Sequence, residues 1–246
     1  MMKRVAVVTG GGGGIGRAVA IALSENDWQV VVAGRTQSTL DETVGLMSTP
    51  GLAVECDVSK SSDVTSLFSK AVNQFGCVDM LFNNAGIAAP AVPVDELSEE
   101  IWDQVVAINL TGAFLCARAA FGQMRKQESG GRIINNGSIS ATTPRPFSAP
   151  YTCTKHAITG LTKSLSLDGR QFGISCSQID LGNITSKMGD KMAEGVLQAN
   201  GSTLAEPTIA VKPVCDAILY IVNLPKDANV LNMTVMANSM PFVGRG

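Results

Sequence analysis

Five consecutive glycines, residues 10–14, separate an apolar segment from an amphipathic one, and a sixth glycine follows at Gly16. The apolar segment, residues 4–9, is typical of a short buried β-strand, and residues 15–23 have the spacing of the first turns of a helix. Glycines allow a backbone to approach an anion closely, and the first free N–H groups of a helix point at that anion. The arrangement therefore predicts a loop that binds the phosphates of a nucleotide.

The glycines alone do not decide which kind of phosphate loop this is. They satisfy the spacing GxGxxG from Gly11 to Gly16 and also the spacing GxxxGxG from Gly10 to Gly16. A lone match to the first spacing is weak evidence. Under the second spacing, residues 11–13 are variable positions.

The composition favours a compact enzyme of one large domain. The chain has 246 residues, of which 45% are hydrophobic and 16% charged, and its formal net charge is −2. There is no basic block to favour nucleic acid, no evident apolar stretch of membrane-spanning length, and no room for a signal peptide before the first strand. The six scattered cysteines predict buried free thiols in a reducing cytoplasm. A single histidine, His156, argues against a metal site.

Strand-like and helix-like segments alternate along the whole chain. Beyond the first strand, the predicted strands are residues 28–33, 52–56, 78–82, 131–136, 173–179 and 230–236. The predicted helices after the first include residues 64–75, 101–124, 151–172 and 213–224. Continuously apolar strands predict a sheet covered on both faces, and the alternation predicts parallel pairing. The result is an α/β fold with one doubly wound parallel sheet of about seven strands and helices on both faces. The long, weakly patterned residues 183–212 are typical of a substrate lid.

The sequence from Tyr151 to Lys155 can carry acid–base chemistry. Residues four apart lie on one face of a helix, so the phenol and the ammonium are neighbours. A nearby positive charge favours the phenolate form, which a general acid/base working near neutral pH requires. Ser138, at the end of the preceding strand, can donate a hydrogen bond to the same substrate oxygen. On its own, the Tyr-x-x-x-Lys pattern also arises by chance.

Taken together, these motifs make the chain similar to the short-chain dehydrogenase/reductase family over essentially its whole length. The glycine motif of that family matches Thr9 to Gly16, its Asn-Asn-Ala-Gly motif matches residues 83–86, and its catalytic asparagine matches Asn109. Its serine matches Ser138, and its Tyr-x-x-x-Lys motif matches residues 151–155. The resemblance implies a single NAD(P)-binding Rossmann-fold domain over residues 1–246.

The resemblance also implies the role of each residue. Tyr151 passes a proton to or from the substrate oxygen, Lys155 holds the nicotinamide ribose, Ser138 positions the substrate, and Asn109 anchors a water in a proton relay. The cofactor-binding residues that it implies are Thr9, Gly10, Gly14, Ile15, Gly16, Arg35, Asp57, Val58, Asn83, Ala85, Gly86, Tyr151, Lys155, Gly182, Ile184 and Ser186.

The end of the second strand bears on the choice between NAD(H) and NADP(H). An acidic residue there would bind the adenosine ribose and repel a 2′-phosphate, but the chain has Arg35 at this point. Its guanidinium can form a charge-assisted fork to a 2′-phosphate, so we expect NADP(H), with NAD(H) as the alternative. Asp57 and Val58 match the pair that contacts adenine in the family, although Asp57 can also serve as a turn residue or helix cap.

These features predict an NADP(H)-dependent oxidoreductase that acts on a carbonyl compound or a secondary alcohol. One alternative is a 3-oxoacyl-acyl-carrier-protein reductase, with Arg118, Arg125, Lys126 and Arg132 as scattered candidates for the carrier. Another is a sensor or scaffold that binds NADP(H) without turnover. Arg145 and Phe147 are candidate pocket residues, and Arg145 would suit an anionic substrate unless it turns to solvent. The resemblance further implies a homotetramer or dimer, and the cysteine pattern predicts a cytoplasmic location.

Overall fold

The computed structural model describes residues 3–185 and 195–243. Seven strands form the main sheet, and two more form a small hairpin. They are β1 (Val5–Thr9), β2 (Gln29–Gly34), β3 (Leu52–Glu55), β4 (Met80–Asn83), β5 (Gly131–Asn136), β6 (Ile174–Leu181), β7 (Val196–Leu197), β8 (Thr203–Leu204) and β9 (Asn232–Val235). The helices of the described residues are α1 (Gly14–Ser24), α2 (Gln37–Gly45), α3 (Ser61–Phe75), α4 (Glu99–Val106), α5 (Ala113–Met124), α6 (Ala149–Gly169) and α7 (Lys212–Val222).

The main sheet runs in the order β3-β2-β1-β4-β5-β6-β9. Every neighbouring pair of its strands is parallel, which confirms the predicted doubly wound α/β fold. The strand order reverses between β1 and β4, and ligands of such sheets bind outside the carboxyl ends at this point. The glycine loop after β1 and the polar residues that end β4 and β5 all lie at this edge.

Both faces of the sheet are buried, which explains why the strands are continuously apolar. Successive residues of a strand point to opposite faces. Val7 and Leu81 belong to the cluster formed with α3 and α5, whereas Val8 and Phe82 belong to the cluster formed with α1 and α7. All four side chains are fully buried.

The predicted helix over residues 101–124 is in fact interrupted by a π-helical turn. The turn covers Ala107–Gly112, between α4 and α5. It packs tightly on the chain after β3, because a Cβ atom at Gly112 would lie 2.7 Å from Cγ2 of Val58. Such turns are frequent at functional sites, and this one contains Asn109. The 3.6-residue hydrophobic pattern does not reveal it, since one extra residue barely disturbs that pattern.

This interrupted helix also bears on the expectation that no segment could span a membrane. Glu99–Met124 is long and apolar enough to do so by length and composition, so the expectation was wrong on that criterion. Half of its most apolar 18-residue window is buried inside the fold. Leu115, Cys116 and Ala117 pack in the core beside the sheet, as in a core helix of a globular protein.

The cysteines follow the predicted pattern with two departures. Cys56, Cys116, Cys176 and Cys215 are buried free thiols, whereas Cys77 is half-buried and Cys153 is exposed. Burial, reinforced by the nearby charge of Asp63, raises the pKa of the Cys56 thiol to about 11. The buried thiols therefore act as small apolar side chains.

Part of the predicted lid, residues 183–212, is described. Within it, the short strands β7 and β8 pair as an antiparallel hairpin, and Ile184 forms a parallel bridge with Ile209. Ser186, which we expected to contact the cofactor, lies outside the described residues.

Candidate active site

The turn between β1 and α1 requires glycine at its key positions. Gly10 and Gly14 adopt positive φ angles of 66° and 51°, a conformation that side chains disfavour. A Cβ atom at Gly16 would lie 2.2 Å from the carbonyl oxygen of Gly10. The predicted GxxxGxG positions therefore have a steric basis.

The three glycines between these positions are not equivalent, although all three are variable positions of the motif. A Cβ at Gly11 would lie 2.7 Å from Cβ of Val32, and one at Gly12 would lie 2.4 Å from Oγ1 of Thr39. A Cβ at Gly13 would meet no heavy atom within 4 Å. Gly11 and Gly12 thus also need to be glycine, because they pack closely against β2 and α2. Of these three glycines, only Gly13 has room for a side chain beside the described residues.

Arg17 fastens this loop to α2, and we did not predict it. Its Nη2 donates to the carbonyl oxygen of Gly12 at 2.7 Å and to Oε2 of Glu42 at 2.9 Å, while its Nε donates to Oγ1 of Thr43 at 2.9 Å. Thr43 Oγ1 in turn donates to the carbonyl oxygen of Gly11 at 2.9 Å. The position of Arg17 along the chain gave one indication of this role. A cation in the first turn of a helix is destabilised by the helix dipole, so an arginine at that position is expected to have a specific partner.

The first turn of α1 fits the pyrophosphate of a nicotinamide dinucleotide. The N-cap residue, Gly13, has no side chain with which to cap this helix, and the first turn contains no acidic residue. The first N–H groups of a helix have no intrahelical partner, and the open space beside Gly13 gives an anion access to them. The helix begins at Gly14, one residue before the predicted start at Ile15.

Thr9 ties the glycine loop to the residues that follow β4. Its buried Oγ1 accepts hydrogen bonds from the backbone N–H groups of Asn84 and Ala85, at 2.9 and 3.0 Å. Nδ2 of Asn84 donates to the carbonyl oxygen of Thr9 at 2.9 Å. The carboxyl ends of the two strands at the topological switch point are therefore held together.

Asn109 clamps the chain just beyond this tie. Its Oδ1 accepts from the backbone N–H of Ile87 at 2.8 Å, and its Nδ2 donates to the carbonyl oxygen of the same residue at 2.9 Å. A Cβ at Gly86 would lie 3.3 Å from Oδ1 of Asn109, so the glycine leaves room for the clamp. Asn109 is buried, and its side chain shapes the segment after β4.

The Asn83 side chain has a role inside the core. Its Nδ2 donates to the carbonyl oxygen of Ala113 at 2.7 Å and to Oδ1 of Asn135 at 3.1 Å. The structure therefore engages this amide between β4, β5 and α5, and a contact of Asn83 with the cofactor stays a prediction.

The structure brings Lys155 beside Tyr151, as predicted. Nζ of Lys155 lies 5.4 Å from the centroid of the Tyr151 ring and donates to the carbonyl oxygen of Asn136 at 2.6 Å. Nδ2 of Asn136 donates to Oδ1 of Asn84 at 2.9 Å, whereas its own Oδ1 is buried and finds no hydrogen-bond partner among the residues that the structure describes. An unpaired buried acceptor asks for an explanation such as a bound water or ligand. We did not predict Asn136.

Ser138 lies in extended backbone immediately after β5 and is buried. Its backbone N–H donates to Oδ1 of Asp180 at 2.9 Å, and its Oγ accepts from the N–H of Ser140 at 3.1 Å. The hydroxyl hydrogen of Ser138 is therefore free to donate elsewhere.

Arg35 and Asp57 lie at the ends of neighbouring strands. Arg35 is exposed, and its side chain makes no hydrogen bond or ion pair within the described part of the chain. A hydrogen bond from the Ser59 hydroxyl holds the pKa of Asp57 below its usual range, and the charge of Arg35 contributes to that lowering. Asp57 thus serves as a turn residue, and its predicted contact with adenine stays a prediction. Val58 is buried against the π-helical turn.

On the other side of the site, Gly182 and Ile184 lead from β6 into the predicted lid. A Cβ at Gly182 would lie 2.6 Å from Cβ of Met236, so this position needs glycine. Ile184 is buried.

Arg145 is not available to an anionic substrate as a free cation, which corrects our expectation. It forms an ion pair with the buried Glu206 and donates to Oδ1 of Asn183 at 2.9 Å. Nδ2 of Asn183 donates to Oε2 of Glu206 at 3.0 Å. The cluster joins the segment after β5 to the predicted lid. Phe147 is exposed and has a φ angle of 57°, an unusual conformation for a bulky residue.

Comparison with known proteins agrees with this geometry. The family model for short chain dehydrogenases matches residues 4–196. The D-beta-hydroxybutyrate dehydrogenase of Rhizobium meliloti is 31% identical over 238 residues, which cover 89% of this chain and 92% of that protein. The 3-oxoacyl-acyl-carrier-protein reductase of Staphylococcus aureus is 34% identical over 197 residues, which cover 78% and 79%. A solved actinorhodin polyketide ketoreductase with NADPH has a TM-score of 0.87 at 26% identity and covers 95% of this chain and 96% of its own.

The glycine loop gives a first testable prediction. Gly16→Ala places a methyl group against the Gly10 carbonyl, so we expect the free energy of unfolding to fall by about 1–3 kcal/mol. We also expect NADPH to bind more weakly, as measured by fluorescence titration. Gly13→Ala is the matched control for stability, because its methyl group contacts no described residue, and its free energy of unfolding should stay at the wild-type value. Equal losses in the two variants would contradict this account.

The Glu206 cluster predicts a specific dependence of stability on pH. Burial tends to raise the pKa of Glu206, but hydrogen bonds from Asn183 and Gln198 and the charge of Arg145 together lower it below its usual range. A carboxyl group whose pKa is lower in the folded than in the unfolded state stabilises the fold at pH values above its unfolded-state pKa. This stabilisation is lost as the pH falls through its folded-state pKa. We therefore expect wild type to exceed Glu206→Gln in free energy of unfolding above about pH 5, and the difference to shrink as the solution is acidified.

Chemical denaturation at several pH values measures this difference. Glu42→Gln is the control, because Glu42 is an exposed partner of Arg17 and its pair contributes little to stability. Arg145→Met removes the cation that pairs with this buried carboxylate among the described residues, so we expect a loss of about 3 kcal/mol. A difference between wild type and Glu206→Gln that does not change with pH would refute the assignment.

Proposed function

This chain belongs to the short-chain dehydrogenase/reductase family, and from that premise we propose that it is an NADP(H)-dependent oxidoreductase in which Tyr151 is the general acid/base. The proposed substrate is a carbonyl compound or the corresponding secondary alcohol. The observation that carries the proposal is the placement of Lys155 between the ring of Tyr151 and the carbonyl oxygen of Asn136.

Tyr151 moves the proton in this proposal. It lies in the first turn of α6 and is only partly buried. During reduction the Tyr151 hydroxyl gives its proton to the oxygen of the substrate, and during oxidation the phenolate takes that proton back. The nicotinamide, when bound, supplies or accepts the hydride.

Lys155 supplies a fixed positive charge beside the phenol. Its ammonium is buried and held by a charge-assisted hydrogen bond to Asn136, so it stays in place whatever the protonation state of Tyr151. It retains further N–H donors with which to hold the nicotinamide ribose. The clamp from Asn109 to Ile87 shapes the neighbouring wall, and its predicted role in holding a relay water belongs to the same proposal.

Ser138 orients the substrate. Its Oγ already accepts a hydrogen bond from the N–H of Ser140, so the hydroxyl hydrogen is directed to another acceptor. A substrate oxygen placed between Ser138 and Tyr151 receives two hydrogen bonds, which is how such a site stabilises developing negative charge.

Several parts of the proposal concern binding and assembly. Arg35 supports NADP(H), because its guanidinium is exposed at the end of β2 and pairs with no side chain among residues 3–185 and 195–243. The Arg145–Glu206 pair supports residues 183–212 as a lid joined to the segment that contains Ser138. We further propose a dimer or tetramer, supported by the exposed aromatic rings of Trp102 and Phe114 on α4 and α5. The free thiols of the six cysteines support the proposal of a cytoplasmic location.

The acyl-carrier-protein alternative draws support from the Staphylococcus aureus relative, but not from Arg132. That guanidinium is engaged with the carbonyl oxygens of Leu224, Pro225 and Ala228, at 2.9, 2.7 and 3.1 Å. It lies at the start of β5, at the edge of the sheet opposite the candidate site.

The activity is tested by following the absorbance of NADPH with a panel of acyl thioesters, 3-ketosteroids, sugars and simple ketones. We expect turnover with at least one compound and a loss of about 10²- to 10⁴-fold in kcat for Tyr151→Phe. NADPH affinity should not change, since only the hydroxyl is removed. Tyr220→Phe is the matched control, because Tyr220 is exposed on α7. Wild-type turnover in Tyr151→Phe would remove this residue from its role, and inactivity of wild type across the panel would favour a non-catalytic NADP(H)-binding protein.

The choice of cofactor is tested separately. Arg35→Ala removes charge-assisted hydrogen bonds to the 2′-phosphate, so we expect NADPH affinity to fall about 10-fold or more while NADH affinity stays unchanged. Calorimetric titration with both cofactors measures this. Arg170→Ala is the control, because Arg170 is an exposed arginine that follows α6 and precedes the start of β6. Unchanged NADPH affinity in Arg35→Ala would contradict the proposal.

A further inference from the structure

A buried carboxylate lies directly behind Ser138. Asp180 is 5% exposed, and it sits near the end of β6, beside the segment that follows β5. Its Oδ1 accepts from the backbone N–H of Ser138 at 2.9 Å and from Nε2 of Gln178 at 2.7 Å. Its Oδ2 accepts from Nδ2 of Asn232 at 2.7 Å. Burying a carboxylate costs free energy unless it is fully hydrogen-bonded, so a buried carboxylate at this position is expected to have a structural or functional role.

The backbone before Ser138 is shaped to admit this carboxylate. A Cβ at Gly137 would lie 2.0 Å from Oδ1 of Asp180 and 2.9 Å from Nε2 of Gln178. Gly137 donates its own N–H to the carbonyl oxygen of Ile179 at 2.8 Å, which extends the pairing of β5 with β6. The carboxylate therefore contacts the chain immediately before and at Ser138.

Gln178 connects the carboxylate to α6. Its Nε2 donates to Oγ1 of Thr159 at 3.1 Å, and its Oε1 accepts from Oγ1 of Thr162 at 3.3 Å. Thr159 and Thr162 lie one and two turns beyond Lys155, so they share a helix face with it. Thr162 Oγ1 also accepts from Nδ2 of Asn135 at 2.9 Å, which closes the network onto β5.

We propose that Asp180 is a positioning residue, which fixes Ser138 relative to the helix that carries Tyr151 and Lys155. This inference rests on the proposed function, because it gives Ser138 a role in turnover. Two groups on separate elements must contact one substrate oxygen, and a displacement of either by about 1 Å costs about 10²-fold in rate. The carboxylate bonds both the Ser138 backbone and, through Gln178, the helix, so it sets the spacing between them.

A double-mutant cycle tests this role. We expect Ser138→Ala to lower kcat by about 10²-fold and Asp180→Ala to lower it by about 10-fold or more. The measurements use NADPH and the panel compound that wild type reduces fastest. If Asp180 acts through Ser138, the double variant should be no more than about threefold slower than Ser138→Ala alone. Losses that multiply to about 10³-fold would overturn the inference.

The conservative variant supplies a second readout. In Asp180→Asn the amide oxygen can still accept from Ser138 and Gln178, and the Asn232 amide can turn so that its oxygen accepts from the new NH₂ group. We expect Asp180→Asn to keep kcat within about threefold of wild type, while KM for NADPH is unchanged in both Asp180 variants. A loss in Asp180→Asn as large as that in Asp180→Ala would contradict a positioning role.

Asp79→Ala is the matched control for stability. The Asp79 carboxylate also accepts a backbone N–H, that of Val5 at 2.8 Å, but it lies before β4 at the opposite edge of the sheet. We expect this variant to lower the melting temperature and leave kcat unchanged. An equal loss of kcat in Asp79→Ala would show that general destabilisation explains the effect.

If Asp180→Ala does not fold, Asn232→Ala carries the test, because Asn232 is exposed. Removing this donor should lower kcat by about threefold in wild type and have no effect in Ser138→Ala. The same loss in both backgrounds would overturn the inference. Failure of the proposed function looks different, since wild type would then be inactive across the panel or Tyr151→Phe would keep wild-type turnover.

Discussion

The parallel pairing of β1 with β4, and of β4 with β5, is the constraint on which the candidate site depends. It places three carboxyl ends side by side, each followed by a polar segment. Thr9 then ties the first two segments together through Asn84 and Ala85, and Asn136 ties the second to the third. Lys155 bonds the backbone of Asn136. These hydrogen bonds therefore fix the position of α6, which carries the proposed acid/base, relative to the sheet and to the glycine loop.

A chain of buried polar groups runs beneath this edge. It passes from Asn83 through Asn135 to Thr162 and on to Gln178 and Asp180, and each link is a hydrogen bond between side chains. In a low-dielectric interior, a satisfied network of this kind favours one geometry, whereas an apolar core tolerates small shifts. This hydrogen-bond network thus fixes the distances between β4, β5, β6 and α6 more tightly than apolar packing alone would.

Much of this structure could be predicted from the sequence. Continuous apolar runs such as residues 30–33 reveal two-sided burial, and the glycine and Tyr-x-x-x-Lys spacings predict the phosphate loop and the acid–base pair. The π-helical turn could not be predicted, because its hydrophobic pattern matches that of an unbroken helix. The pairing of Arg145 with Glu206 could not be predicted either, since it joins residues 61 positions apart. Asp180 was only weakly indicated by the sequence, as the one carboxylate in a strand that is otherwise typical of the core.

The clamp of Arg17 on the glycine loop has a consequence for the entropy of binding. A run of five glycines is the most flexible sequence that a chain can offer, and fixing each residue costs about 1–2 kcal/mol. Here Gly11 and Gly12 are fixed through Thr43 and Arg17 during folding, before any ligand arrives. The ligand therefore meets a loop that is already ordered, and the contacts it makes appear as affinity instead of being consumed in ordering the chain.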